Sequence, residues 1–133
     1  GVETVLNPAP ANKPSDILLQ NTSWFIPNEI EFEEIYGDIF NENNLLLFAK
    51  NVDTNVVVTL GEKGCAYIKN NSVKIIKADS VKAIDTTGAG DAFVGAFSFA
   101  LASKLDIEEC LKLALKKATD SVTKKGTQSS YKN

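Results

Sequence analysis

Residues 84–93, Ile-Asp-Thr-Thr-Gly-Ala-Gly-Asp-Ala-Phe, put two glycines and an aspartate where an extended stretch gives way to a helical pattern. Val81 to Ile84 read as a strand, and a helix is expected to begin near Gly90. Glycine lets the backbone turn with successive N–H groups pointing one way, and such a nest binds anions. A helix start adds its unsatisfied amides and the positive end of its dipole. Gly88, Ala89 and Gly90 together therefore form a phosphate or oxyanion cradle without a basic side chain, and Asp91 sets a carboxylate at its rim. Taken one by one, these residues also suit a tight strand-to-helix turn with an acid at the helix N-terminus.

The spacing excludes two better-known phosphate motifs. No Lys-Ser or Lys-Thr pair follows Gly90 and the next glycine is Gly95, so neither the P-loop nor the dinucleotide fingerprint fits, which disfavours a dinucleotide oxidoreductase. The run resembles the signature of the ribokinase-like family of sugar and nucleoside kinases. That resemblance implies that Asp91 is the base taking the proton from the hydroxyl being phosphorylated, with Gly88, Ala89 and Gly90 as the anion hole. Phosphoryl transfer needs positioning and charge neutralisation more than covalent chemistry, so one carboxylate and an amide nest are a sufficient apparatus.

Four further segments extend the resemblance over nearly the whole chain. Leu6-Asn7-Pro8-Ala9-Pro10-Ala11 is similar to a family strand exit, and by itself is a proline-stiffened loop. Asn28-Glu29-Ile30-Glu31 matches the family's Asn-x-x-Glu element, which implies that Asn28 and Glu31 organise magnesium (Mg2+), water and phosphates. The same spacing is a capping box, and both roles can coexist. Thr59-Leu60-Gly61-Glu62-Lys63-Gly64 resembles the family's nucleotide loop and implies contacts to ATP; without that context it is an ordinary hairpin turn. Residues 122–130 resemble a C-terminal loop whose main-chain oxygens hold a monovalent cation. The resemblance implies Asp85, Thr87, Ser121, Lys124, Gly126 and Ser130 as ligands of potassium (K+), against the plain alternative of a glycine C-cap at Gly126. Where relatives carry a polar residue near the adenine this chain has Leu115 beside Lys116, which implies looser, shape-based base recognition.

Positioning these residues requires alternating strands and helices. Val2 to Leu6 and Trp24 to Ile26 read as short strands, each stopped by proline, and Asp16 to Leu19 as a helical turn. Asn28 to Tyr36 is expected to be a helix ended by Gly37, and Leu45 to Lys50 another. Val56 to Leu60, Cys65 to Ile68 and Val73 to Ile76 follow as strands of an antiparallel flap, turning at Gly61–Gly64 and at Asn70-Asn71. The frequent asparagines, Asn43-Asn44 among them, read as turn chemistry or compositional bias. The helix over Gly90 to Ser103 is apolar nearly all round and is expected to be buried and central. A last helix starts at the Asp106/Glu109 capping-box spacing, buries one face and runs to Gly126. The pattern is α/β: a three-layer α/β/α sandwich on a mostly parallel sheet, with ligands at the carboxyl ends of the strands.

Composition narrows the function classes. The chain has 133 residues and a formal net charge of -3, without an arginine-rich or aromatic-interleaved basic stretch, which argues against nucleic acid. Lys112, Lys116, Lys117, Lys124 and Lys125 read as the solvated side of the last helix. Two cysteines, Cys65 and Cys110, and no histidine make a zinc site implausible. No signal peptide or membrane-length apolar run is present, and the expected compartment is the cytoplasm. The resemblance implies that residues 1–133 are the C-terminal, nucleotide-binding part of a ribokinase-like domain whose sugar-binding and lid half lies upstream. The parent protein is then expected to phosphorylate a small sugar, D-ribose first among them, with ATP, and to form a homodimer through that lid, while the isolated chain is inactive. The alternatives are another sugar or nucleoside kinase of the family, and a non-catalytic nucleotide-binding module.

Overall fold

A computed structural model of the chain describes residues 4–6, 19, 21–78 and 89–131, with the backbone alone at 89 and 121–131. Two compact units divide it, Gly1–Gly61 with Ala66–Ile75, and Glu62–Cys65 with Ile76–Asn133. The elements in chain order are β1 (Val5–Leu6), β2 (Trp24–Phe25), α1 (Glu29–Tyr36), α2 (Glu42–Val52), β3 (Asn55–Thr59), a 3₁₀ turn (Gly61–Lys63), β4 (Cys65–Lys69), β5 (Ser72–Ile76), α3 (Ala89–Ala102) and α4 (Ile107–Tyr131).

The strands form one sheet in the order β1-β2-β3-β4-β5. β1, β2 and β3 are parallel, with Val5 opposite Trp24, and Phe25 opposite Val56. The links from β3 to β4 and from β4 to β5 are too short for a parallel crossover, which takes roughly a dozen residues or more, so this part is an antiparallel meander. Asn70 and Asn71, with φ of 55° and 61°, make its second turn in the left-handed conformation that asparagine tolerates.

The first unit closes over Phe25, Val56, Val58 and Ala66 from the sheet and Phe32, Ile35, Leu45 and Phe48 from α1 and α2. Phe32 anchors it, stacked at 5.4 Å on Tyr36 and edge-on to Phe40 and Phe48. α2 begins earlier and ends later than the expected Leu45 to Lys50, because Asn41 caps it through the Asn44 amide and Asp53 ends it at φ 53°. Asn44, read from sequence as turn chemistry, is instead buried inside the helix, where its Nδ2 donates to the Ile39 carbonyl at 2.8 Å. One buried amide thus fastens the loop between α1 and α2.

In the second unit α3 packs on α4 through buried Phe93, Phe97, Ala100, Cys110, Leu111, Ala114 and Leu115. Asp106 caps α4 by accepting from the Glu109 amide at 2.8 Å; a separate hydrogen bond between the Asp106 and Glu109 side chains, followed by the Asp106 charge, raises the Glu109 carboxyl above its usual range. Two expectations are corrected here. α3 is not buried all round: Phe99 on its outward side is 69% exposed. α4 does not stop at Gly126 but continues to Tyr131, since a glycine within a helix costs only about 1 kcal/mol and no proline follows to end it. The expected strand at Val81 to Ile84 and the Asn7–Ala11 exit lie outside the described residues, as does the Asp16 turn except for Leu19, which is helical and buried. Among the described residues no helix is long and apolar enough to cross a membrane.

Two measurements check this packing. Gly64 has φ +108°, and a Cβ there would stand 1.8 Å from the Ile76 carbonyl oxygen, whereas Gly37 has φ +88° and open space around it. Urea unfolding of Gly64→Ala is expected to show a loss of about 3 kcal/mol or more, and of Gly37→Ala only about 1 kcal/mol. Burial pushes the Cys65 thiol up from 9.0 to about 12. Above pH 9 the unfolded chain therefore loses this proton while the folded chain keeps it. Stability is expected to fall between pH 9 and 12 by up to about 1.4 kcal/mol per pH unit, and Cys65→Ala removes that component.

Candidate functional site

β2 ends at Phe25 because Pro27, buried and without an N–H, cannot extend the ladder. Its carbonyl still accepts, and takes the Thr59 amide at 3.0 Å. Asn28, three residues past the end of β2, forms an isolated parallel bridge with Thr59, the last residue of β3. The carboxyl ends of β2 and β3 are thereby held side by side, each with a candidate ligand residue on it. This is where α/β proteins gather ligands.

Asn28 then starts α1 as its N-cap, with Glu31 completing the box. The Glu31 amide donates to Asn28 Oδ1 at 2.7 Å, and the Asn28 amide donates to Glu31 Oε1 at 2.8 Å. Both side chains are fixed by groups that the helix start leaves unsatisfied, at a gain of about 1 kcal/mol. The cap uses only one oxygen of Glu31 and only the carbonyl of the Asn28 amide. Among the described residues the second Glu31 oxygen and the two Asn28 Nδ2 hydrogens have no further partner and remain for a ligand. Magnesium commonly keeps several waters and one or two carboxylates, so this donor set fits a hydrated ion held by Glu31. Among the described residues no three His, Cys, Asp or Glu side chains converge as a metal cage.

The loop after β3 separates its residues by role. Leu60 packs its side chain against the hydrophobic core, which leaves only its main chain for a ligand. Gly61, Glu62 and Lys63 are exposed in the 3₁₀ turn, and Gly61 needs its glycine for φ +61°, with open space where a Cβ would be. Gly64 belongs to packing instead, because its Cα lies against the main chain of Ile76 and Ala78. Its glycine is explained without a nucleotide.

In the second unit α3 carries candidate residues of its own. Gly90 is its second residue, exposed, with nothing within 4 Å of an added Cβ, so packing among the described residues gives no reason for glycine there. Asp91 lies in the first turn, exposed and in no ion pair among the described residues. An acid at that position is stabilised by the helix dipole, and its oxygens stay open to a substrate. Ala89 begins the helix, while Asp85, Thr87 and Gly88 lie outside the described residues.

Among the described residues the cation set is not assembled. Ser121, Lys124, Gly126 and Ser130 are residues of α4, and the carbonyls of the first three point along the helix toward amides four residues ahead. Oxygens engaged in that way do not fit a potassium site. Leu115, near the expected adenine contact, is buried against α3, while Lys116 beside it is exposed. Sequence reading missed the part of Pro27, which it took only as a strand stop; its signal was the Pro-Asn pair after an apolar run.

The pattern of the pfkB family carbohydrate kinases matches residues 1–133. The ribokinase of Haemophilus influenzae is 42% identical over 136 residues, spanning 98% of this chain and 44% of that protein. The deoxyribokinase of Salmonella typhi is 39% identical over 137 residues, spanning 98% and 45%. The chain thus covers a little under half the length of these curated relatives. The crystal structure of ribokinase from Thermotoga maritima matches with a TM-score of 0.82 at 34% identity, over 96% of this chain and 45% of that one. Arabidopsis thaliana ribokinase complexed with ribose and ATP matches at 0.79 and 26%, over 92% and 42%. The α/β fold expected from sequence is the fold of these structures.

Glutamine at Glu31 separates capping from metal binding, because it also completes a capping box. Glu31→Gln is expected to change the unfolding free energy by less than about 0.5 kcal/mol, while Asn28→Ala loses about 1 kcal/mol. In the full-length protein Glu31→Gln is expected to raise the magnesium concentration for half-maximal activity at least tenfold; an unchanged requirement confines Glu31 to the cap.

Proposed function

The chain belongs to the pfkB family of carbohydrate kinases, and from that premise we propose that it forms the nucleotide- and phosphate-handling part of an ATP-dependent sugar kinase. The acceptor is D-ribose and the products are ribose 5-phosphate and ADP. The observation that carries this reading is Asp91, exposed and free of any ion pair among the described residues, in the first turn of a helix that opens Ala-Gly.

Asp91 takes the proton of the sugar hydroxyl as its oxygen forms a bond to the γ-phosphorus, and the bond from that phosphorus to the bridging oxygen of ADP breaks. The amides at the start of α3 face the phosphoryl oxygens as charge moves across them, an effect strongest where water is excluded. Asn28 donates from Nδ2 toward phosphate oxygens, and Glu31 would hold a hydrated magnesium ion. When bound, that ion neutralises charge on the phosphates. Thr59, Leu60 and Gly61 offer main chain to the nucleotide, with Glu62 and Lys63 at the exposed edge. Membership of the family and the ATP and ribose in the Arabidopsis complex support the nucleotide and sugar classes.

A second reading takes 2-deoxyribose as acceptor, favoured by the deoxyribokinase at 39% identity. The two sugars differ by one hydroxyl, so kcat/KM for each with the full-length protein decides between them. In a non-catalytic nucleotide module the carboxylate would serve only the helix dipole, so its replacement separates the two readings. In the full-length protein Asp91→Asn is expected to lower kcat by about 10²- to 10⁴-fold with ATP binding retained. A loss of less than about tenfold removes Asp91 from the role of base.

A further inference from the structure

β5 is the last strand of the sheet, with β4 on one side and, among the described residues, no strand on the other. Such an edge offers unpaired main-chain groups to any extended chain that can approach it. In a hairpin closed by the two-residue turn Asn70-Asn71, Lys69 and Ser72 exchange hydrogen bonds, and the exchange recurs at every second residue. Ser72, Lys74 and Ile76 therefore turn their N–H and C=O groups toward β4, while Val73 and Ile75 turn theirs outward. The side chains agree with this register, which sets Val73 opposite Ile68 and Ile75 opposite Ala66. Ala66, Ile68 and Val73 all lie on the core of the first unit. Ile75, at the rim of the same face, is 51% exposed.

An antiparallel copy of the same strand fits this edge in every respect but one. With Ser72–Ile76 fully overlapped, Val73 meets the copy's Ile75 and Ile75 meets the copy's Val73 through their outward main-chain groups, and the apolar face continues across the join. The same register sets Lys74 directly opposite Lys74. That pair is of the non-hydrogen-bonded kind, in which Cα atoms approach to about 4.5 Å, and like charges so placed are destabilising. Lys74 is exposed, and neither it nor Lys69 or Lys77 joins an ion pair among the described residues. Residues 65–77 contain no acid to offset these charges. Sliding the copies by two residues separates the lysines but shortens the overlap from five residue pairs to three. We propose that the β5 edge is a self-association surface held closed by Lys74: a second copy of the chain is the partner that its main chain and apolar face fit, and the like charge keeps that copy away. This inference is independent of the kinase reading.

Changing the charge at position 74 tests this in the full-length protein, and because Lys74 is exposed neither variant removes a packed side chain. Lys74→Thr takes away the repulsion and keeps a strand-forming residue. Its constant for association beyond the assembly of the unmodified protein, read by analytical ultracentrifugation, is expected to rise about tenfold. Lys74→Glu alone repels its own copy as lysine does. An equimolar mixture of Lys74→Glu with the unmodified protein is expected to form a complex absent from either one alone. That complex should dissociate as salt is raised to about 0.5 M, where the charges are screened. A Lys74→Thr protein that sediments as the unmodified protein does overturns the proposal, and so does a mixture whose sedimentation is the sum of its two components.

Discussion

The hydrogen bond from the Thr59 amide to the Pro27 carbonyl is the constraint on which the candidate residues of the first unit depend. It continues the parallel pairing of β2 and β3 one step past the point where proline stops the regular ladder. The start of α1 and the loop after β3 therefore leave the sheet from neighbouring positions. The cap between Asn28 and Glu31 then holds two polar side chains in place with interactions the helix would need in any case. Structural and chemical roles are not rivals here, because each side chain has an atom for the helix and another for a ligand.

The glycines illustrate how one residue type serves different ends within a few positions. Gly61 is needed for its left-handed backbone and faces open space, whereas Gly64 is needed because the main chain around Ile76 leaves no volume for a side chain. Gly90 has neither reason among the described residues: its conformation is helical and none of them lies within 4 Å of an added Cβ. A glycine that lowers helix stability and fills no packing need is suited to a ligand that must approach the backbone closely.

α3 joins the two kinds of demand in one helix. Phe93 and Phe97 commit one side to α4, with their rings 6.4 Å apart and nearly parallel. The N-terminal turn presents Asp91, and the outward side presents Phe99. A base must be held rigidly while remaining open to its substrate. A helix buried along one side and free at its tip meets both conditions.

Local signals in the sequence were sufficient for much of this. Continuous β-branched residues mark β3, Gly37 marks the end of α1, Asn28 and Glu31 mark its start, and Asn70-Asn71 marks a turn, because each effect operates within a few residues along the chain. The acidic tip of α3 was legible for the same reason. Other features depend on residues distant in sequence and only the tertiary structure decided them. The tie between Pro27 and Thr59, the burial of Asn44 beneath the loop it fastens and the steric need for glycine at position 64 all require a partner from elsewhere in the fold. The continuation of α4 through Gly126 and the exposure of Phe99 belong with them, since helix ends and outward faces are settled by what packs nearby rather than by propensity alone.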